Sequence, residues 1–310
     1  MILVIVTVNY GDPSDTLTLL ESVLGADLDE TTYFVVVDNG STEADRNALF
    51  NGFDSVFKYI GESKNVIVIA NETNLGFSGG NNVGIKYALE NLNAEYVWLL
   101  NNDTTLDNMA IRKMREHISK NKKTIIGSTI VDEQSNRIQC LGGAELDKYT
   151  FTGKYVGLGM NVNDVSIMEA DATAAKFDYI HGASLLIPRE VLHRIGYLDE
   201  RYFLYYEEVD YCLAASREGI HLTWAKDVFI THKEGSSING GSYKKKRSSL
   251  SEYHSTRSFL LFVMKWYPRR FTTLLIIRII SKTLINIYKG RFYLIATNFK
   301  ASLSVIRGGN

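Results

Sequence analysis

Short β-branched runs alternate with helix-length stretches through the first hundred residues, and this alternation constrains the fold more than any other feature. Residues 2–8 form a continuous apolar run, the mark of a strand buried on both faces. Ser14 could cap a helix running to about Ala26. Residues 33–38 read as the next strand, closing on the turn signal Asn39-Gly40. A helix over 43–59, a strand over 66–70, a helix over 78–91 and a strand over 96–100 follow. Strands spaced by helices of this length make βαβ units with right-handed crossovers. The fold class is α/β: a Rossmann-like, mostly parallel sheet flanked by helices.

The middle of the chain is less regular. A strand is expected over 125–131, a hairpin region over 138–159, and a strand over 178–187 interrupted by His181-Gly182-Ala183-Ser184. Pro188 suits the first turn of a short helix over 189–195. A helix over 207–218 precedes a strand over 221–231 that ends at His232. Residues 236–251 are Gly/Ser-rich and basic and read as a mobile linker. Two or three amphipathic helices occupy about 252–306. The expected organisation is a ligand-binding and catalytic domain over 1–235, the linker, and a basic helical extension over 252–310.

A net charge of −1 hides an asymmetry: residues 244–310 carry +13 and residues 1–243 carry −14. A basic tail suggests a membrane surface, nucleic acid or a phosphorylated substrate as partner. The apolar segment 259–288 is interrupted by Lys265, Arg269, Arg270, Arg278 and Lys282. Its longest uncharged run, 271–277, falls well short of the ~20 residues of a spanning helix. The expected arrangement is a helix lying in the interface, with cations on anionic lipid. The same helices packing on the body or forming a homodimer is the alternative. No signal peptide is visible after Met1, and the expected location is cytoplasmic, peripheral on the inner face of the membrane. Cys140 and Cys212 form no disulfide or metal pattern. With 45% apolar and 22% charged residues, disordered and disulfide-rich classes are excluded.

In a parallel α/β sheet, ligands bind beyond the carboxyl ends of the strands. Polar clusters sit at four such ends: Thr7 to Tyr10, Asp38 to Ser41, Asn71 to Asn74, and Asn101 to Asp103. Asp103 could hold a hard cation, since Mg²⁺ and Mn²⁺ sites use one or two carboxylates plus substrate phosphates; a polar turn would use the same residues. His232 on that edge could be a second ligand or a phosphate donor. Glu207, Glu208 and Asp210 open a helix, where acids are favoured by its dipole. Crowding raises one carboxyl pKa and makes a general base. Residues 74–84 bring glycines before a helix, which would admit a ligand to the backbone. They do not match the dinucleotide or P-loop fingerprints.

The order of Asp38-Asn39-Gly40-Ser41, then Asn74-Leu75-Gly76-Phe77-Ser78-Gly79-Gly80-Asn81-Asn82, Asn101-Asn102-Asp103, His181-Gly182-Ala183, Glu207-Glu208-Val209-Asp210 and His232 resembles family 2 glycosyltransferases of the GT-A fold. It is most similar to the bacterial rhamnosyltransferase-like branch that builds surface polysaccharide, over about residues 1–260. The resemblance implies an inverting, single-displacement hexosyl transfer that depends on Mn²⁺ or Mg²⁺. The donor would be a nucleoside-diphosphate sugar, the sugar rhamnose or a related hexose, and the acceptor a saccharide or lipid-linked glycan. No nucleic-acid partner is implied. Asp38 would read the base beside Thr7 and Asn9. Asn39, Asn74, Gly76, Gly79 and Asn102 would line the donor, and His181, Gly182 and Ala183 would wall the sugar pocket. Asp103 and His232 would hold the metal, and Glu208 would be the base, with Glu207 and Asp210 as alternatives. Asn101 stands where many members carry Asp. A sugar nucleotidyltransferase, or a non-catalytic sugar-binding scaffold, is the alternative function; the first should carry a basic loop after the first strand, and residues 9–13 have none.

Overall fold

The computed structural model describes residues 1–26, 29–60, 65–164, 177–233 and 248–308. Strands β1 (Leu3–Asn9), β2 (Thr32–Asn39), β3 (Val66–Asn71) and β4 (Tyr96–Leu100) alternate with helices α1 (Ser14–Gly25), α2 (Glu43–Ile60) and α3 (Gly76–Asn91). Pro13, not Ser14, is the N-cap of α1. After β4 come β5 (Thr104–Leu106) and α4 (Ala110–Lys120), in a stretch the sequence reading leaves unassigned. Strands β6 (Ile125–Asp132), β7 (Ile138–Leu141), β8 (Gly143–Leu146) and β9 (Gly153–Tyr155) follow. The expected single strand over 178–187 is two: β10 (Tyr179–Ile180) and β11 (Ser184–Pro188), which join different sheets. Helix α5 (Arg189–Ile195) has Pro188 as its N-cap rather than in its first turn. The chain continues through α6 (Glu207–Arg217) and β12 (Leu222–His232) to α7 (Ser249–Trp266), α8 (Phe271–Tyr288) and α9 (Tyr293–Ile306).

The main sheet runs β3-β2-β1-β4-β11-β6-β12-β5, with β7 added on β6, and a second sheet is ordered β10-β8-β9. Strands β3, β2, β1 and β4 are parallel; β11 enters antiparallel between β4 and β6. One half of the sheet is thus built from the first hundred residues, and the other half from distant segments. Alternate residues of a strand face opposite sides. Val4 and Val6 accordingly pack with α3 and α7, while Leu3 and Ile5 pack with α1, α2 and α4.

The glycines expected before a helix lie within α3, which starts at Gly76, and they are closely packed. A Cβ on Gly84 would lie 2.3 Å from Val6 Cγ1, and one on Gly80 2.8 Å from Val8 Cγ1. A Cβ on Gly79 would meet Leu75 Cβ at 2.7 Å. Gly76 sits at φ +74°, with Phe203 O 2.6 Å from where its Cβ would be. These glycines let α3 lie directly on the sheet and under the 201–206 loop.

The C-terminal helices differ from expectation in two ways. Helix α7 starts at Ser249, inside the stretch expected to be linker, and Ser248 caps it by accepting from Ser251 N. Residues 236–247 of that linker lie outside the described residues. The cations expected on lipid are partly turned inward. Arg278 donates to Ser255 O at 2.9 Å and stacks on Phe259, and Lys282 pairs with the buried Glu252 at 3.1 Å. Arg257 donates to Arg201 O, and Lys265 bonds Asp199 and Asp210. With those charges withdrawn, the outer face of α8 is apolar: Ile276, Ile277, Ile280, Leu284 and Ile287 are exposed. The 21-residue span Pro268–Tyr288 contains an 18-residue window of mean hydropathy 1.4, long and apolar enough to cross a membrane by length and composition alone, against the sequence expectation.

Candidate active site

The carboxyl ends of β1, β2 and β4 form one rim. Asn9 accepts from Thr16 Oγ1 at 2.6 Å, and Asn102 donates to the same hydroxyl at 3.1 Å, tying the ends of β1 and β4 to α1. Asn39 is a loop organiser. It donates to Asn74 Oδ1 and Gly76 O at 3.0 and 2.9 Å, and accepts from Asn71 and Leu75 N. Thr7 lies buried within β1, its hydroxyl without a partner. Asp38, the last residue but one of β2, is fully buried. Arg46 Nε donates to its Oδ2 at 2.9 Å and Asn9 Nδ2 to its Oδ1 at 3.3 Å. Arg46 was not foreseen; nothing in its sequence context marks a partner for Asp38.

Strand β5 pairs antiparallel with β12, and Lys233 N donates to Asp103 O at 2.9 Å. This pairing brings Asp103 Oδ1 to 3.3 Å from His232 Nε2, with both side chains nearly buried. Two ligands at right angles on one cation, with bonds of about 2.1 Å, lie ~3 Å apart, so the pair fits a shared Mg²⁺ or Mn²⁺. One carboxylate and one imidazole leave the other positions to a diphosphate and water. Asn101 Oδ1, two residues before Asp103, is buried without a partner. Among the described residues no three His, Cys, Asp or Glu side chains cluster as a closed cage. The second ring nitrogen of His232 faces Gln139 Oε1 at 2.8 Å. Sequence reasoning missed Gln139, although a lone Gln between Ile138 and Cys140 in a buried strand is a visible signal.

His181 packs its ring against His232 at 5.8 Å and against Tyr155 at 4.9 Å. Its Nδ1 accepts from Ala183 N at 3.0 Å. Burial, then the neighbouring His232, pushes its pKa down to about 3, so the ring is neutral. A Cβ on Gly182 would lie 3.8 Å from Glu208. The loop from His181 to Ala183 thus bridges the Asp103–His232 pair and the acidic helix.

Helix α6 is entered through two consecutive left-handed residues, Tyr205 at φ +70° and Tyr206 at φ +69°. Such conformations cost roughly 1–3 kcal/mol each and persist only where the surroundings hold them. Here Tyr205 OH pairs with Ser251 Oγ at 2.8 Å and Tyr206 OH donates to Phe151 O at 2.9 Å. Phe203 O accepts from Phe77 N at 2.7 Å, and Leu204 O from Ser258 Oγ at 2.8 Å. The loop is strapped between α3 and α7. It leaves Glu207 buried and Glu208 partly open. Burial pushes the Glu208 carboxyl up to about 7. Glu207 is held well above the usual carboxylate range by burial and then by Glu208. Each has one carboxylate oxygen without a partner. Asp210 faces the other way: Tyr202 OH at 3.1 Å, Trp266 Nε1 at 2.6 Å and Lys265 Nζ at 2.7 Å bind its carboxylate. Of the three acids, Glu208 alone combines partial exposure, a raised pKa and a place beside Gly182.

The family model described as glycosyl transferase family 2 matches residues 3–160. The low-salt glycan biosynthesis hexosyltransferase Agl10 of Haloferax volcanii is 28% identical over 230 residues, 74% of this chain and 66% of that protein. The dTDP-rhamnosyl transferase RfbF of Shigella flexneri is 22% identical over 207 residues, 67% of this chain and 62% of that protein. The chain thus spans slightly less than two thirds of either relative. Among solved structures, GalNAc-T7 with UDP, GalNAc and Mn²⁺ superposes with TM-score 0.60 at 14% identity, over 86% of this chain and 48% of that one. The mannosyltransferase PcManGT of Pyrobaculum calidifontis, with GDP-Man and Mn²⁺, gives 0.58 at 10% identity over 99% and 88%. At these identities the likeness concerns the fold, which is that of the GT-A glycosyltransferases.

Proposed function

Because this chain belongs to glycosyl transferase family 2, we propose that it moves a hexosyl group, rhamnose or a related sugar, from a nucleoside diphosphate to a hydroxyl of a saccharide or lipid-linked acceptor in surface-glycan synthesis. The sugar class rests on the names of Agl10 and RfbF. The observation that carries the reading is Glu208, partly open beside Gly182, on the rim that also holds the Asp103–His232 pair. In this reading the transfer inverts the anomeric centre in one displacement. Glu208, with a pKa near 7, takes the proton of the acceptor hydroxyl as it attacks. His181 and Gly182 hold the sugar between the base and the diphosphate. Asp103 and His232 would hold Mn²⁺ or Mg²⁺, which would supply Lewis-acid neutralisation of charge on the departing nucleoside diphosphate. The neutral His181 adds no charge of its own there.

A second part of the proposal concerns location. The apolar outer face of α8 and the exposed Arg269, Lys289, Lys300 and Arg307 around it suit a cytoplasmic membrane surface with anionic lipid. Arg278 and Lys282 tie α8 side-on to α7, which favours lying on the membrane over crossing it. The only acid after residue 243 is Glu252, which pairs with Lys282. A twofold dimer through this face would therefore set cations against cations.

Incubation with a panel of nucleotide sugars, with and without Mn²⁺, tests the transfer. The expected result is metal-dependent release of one nucleoside diphosphate, reduced in Glu208→Gln. Release that is absent for the whole panel, or unaffected by Glu208→Gln, would overturn it.

A further inference from the structure

The imidazole of His232 can bind a cation through Nε2 only if its proton resides on Nδ1, and three residues around it decide that. Gln139 is the extra residue of a β-bulge: Ile130 pairs with Cys140, while the next residue, Val131, pairs with Ile138. A bulge re-aims the side chain it carries. This one turns Gln139, only 7% exposed, toward His232. The Gln139 amide nitrogen donates to Asp132 Oδ2 at 3.1 Å and to His232 O at 3.3 Å. Both partners accept and cannot donate, since an ionised carboxylate and a backbone carbonyl carry no hydrogen. Asp132 is anchored as an acceptor by Ser135 N, which donates to its other oxygen at 2.7 Å. Flipping the Gln139 amide would set its oxygen against two acceptors. The amide oxygen therefore faces His232 Nδ1, at 2.8 Å. An acceptor there holds the imidazole proton on Nδ1 and leaves the Nε2 lone pair 3.3 Å from the Asp103 carboxylate. Two lone-pair donors this close call for a positive charge between them, which a proton on Nε2 or a metal cation supplies; in the neutral Nδ1–H ring the proton is not there.

We propose that Asp132 and Gln139 act as positioning residues that fix the Nδ1–H tautomer of His232 and so present its Nε2, beside Asp103, to a divalent cation. The part concerning the cation rests on the metal-binding reading above; the tautomer does not. Free imidazole side chains favour the Nε2–H form, so the protein is imposing the other one. Partners of metal-bound His in this position typically change metal affinity 10- to 100-fold when removed.

The test uses the full chain with ¹⁵N-labelled histidine, free of metal, at a pH where the ring is neutral. Long-range ¹H–¹⁵N spectra distinguish the two tautomers, and the His232 signals are assigned by their loss in His232→Asn. The expected result is Nδ1–H in the native protein, a shift to Nε2–H in Gln139→Met, and a mixture in Asp132→Asn, where the amide is free to flip. Free Mn²⁺ measured by electron paramagnetic resonance should then show affinity lowered ~10- to 100-fold in Gln139→Met. Thermal unfolding confirms that each variant is folded. An Nε2–H ring in the native protein, or an unchanged tautomer in folded Gln139→Met, overturns the proposal. A switched tautomer with unchanged Mn²⁺ affinity overturns the role toward the cation. An Nδ1–H ring in a native protein that binds no Mn²⁺ upholds the tautomer and defeats the metal reading instead.

Discussion

Glu207 and Glu208 are the same side chain one helical step apart, and the helix gives them different chemistry. Glu208 lies half-buried beside Gly182, and Glu207 is buried. For a base with a pKa of about 7, the deprotonated form is the active one, so turnover should rise with pH and level off above about 7. Glu208→Gln is expected to keep donor affinity while losing ~10²- to 10⁴-fold in turnover, measured by single-turnover transfer. Glu207 predicts a stability effect. Its folded pKa is raised above the unfolded value near 4.5, so the folded state binds more protons over that window. Stability is then fully present below about 4.5 and declines as pH rises through the folded value. Glu207→Gln should flatten that decline, raising the thermal midpoint at pH 8 and leaving it unchanged at pH 4. Asp103→Ala should abolish Mn²⁺-dependent nucleotide-sugar binding in titration calorimetry without unfolding the chain; unchanged affinity would remove Asp103 from the cation site.

At the scale of elements, α3 and the 201–206 loop set the geometry. Gly84 has no room for a methyl group beside Val6. Gly84→Ala should destabilise by roughly 1–3 kcal/mol in urea unfolding, as overpacking does. The order of β1 to β4 and their helices was legible in the sequence, because β-branched runs buried on both faces leave an unbroken apolar signal. Helix α4 was legible in principle, since Ile111, Met114 and Ile118 recur at helical spacing and are buried. Strand β5 was not, being three residues whose burial is decided by β12 far along the chain. Asp103, His232 and the acidic pair were legible as residues, because they stand at element ends. Which acid faces the cleft was not, since two left-handed tyrosines fix the phase of α6 and no propensity predicts them. The close packing of the glycines after Asn74 was not legible for a similar reason: their neighbours, Val6, Val8 and Phe203, are brought in by tertiary packing.

Over the whole molecule, an acidic body carries a basic tail in which Lys265, Arg278 and Lys282 are tied inward while Arg269 and Arg270 stay exposed. Sedimentation with vesicles should show binding to anionic vesicles, weaker binding to neutral ones, and loss of both in Ile277→Asp/Ile280→Asp. Binding absent from both vesicle types in the native protein would favour packing of this face on another chain. The pairing of β5 with β12 has a temporal consequence as well. Asp103 leaves the ribosome long before His232, and domains build up from the N-terminus as they are made. The parallel half of the sheet can assemble from its own neighbours, since β1 to β4 are contiguous in sequence. The Asp103–His232 pair cannot exist until β12 has crossed back to β5. A nascent or clipped chain that folds its first hundred residues would therefore carry Asp103 without His232, and on the proposed reading the place for the donor's diphosphate is completed only when the catalytic domain is.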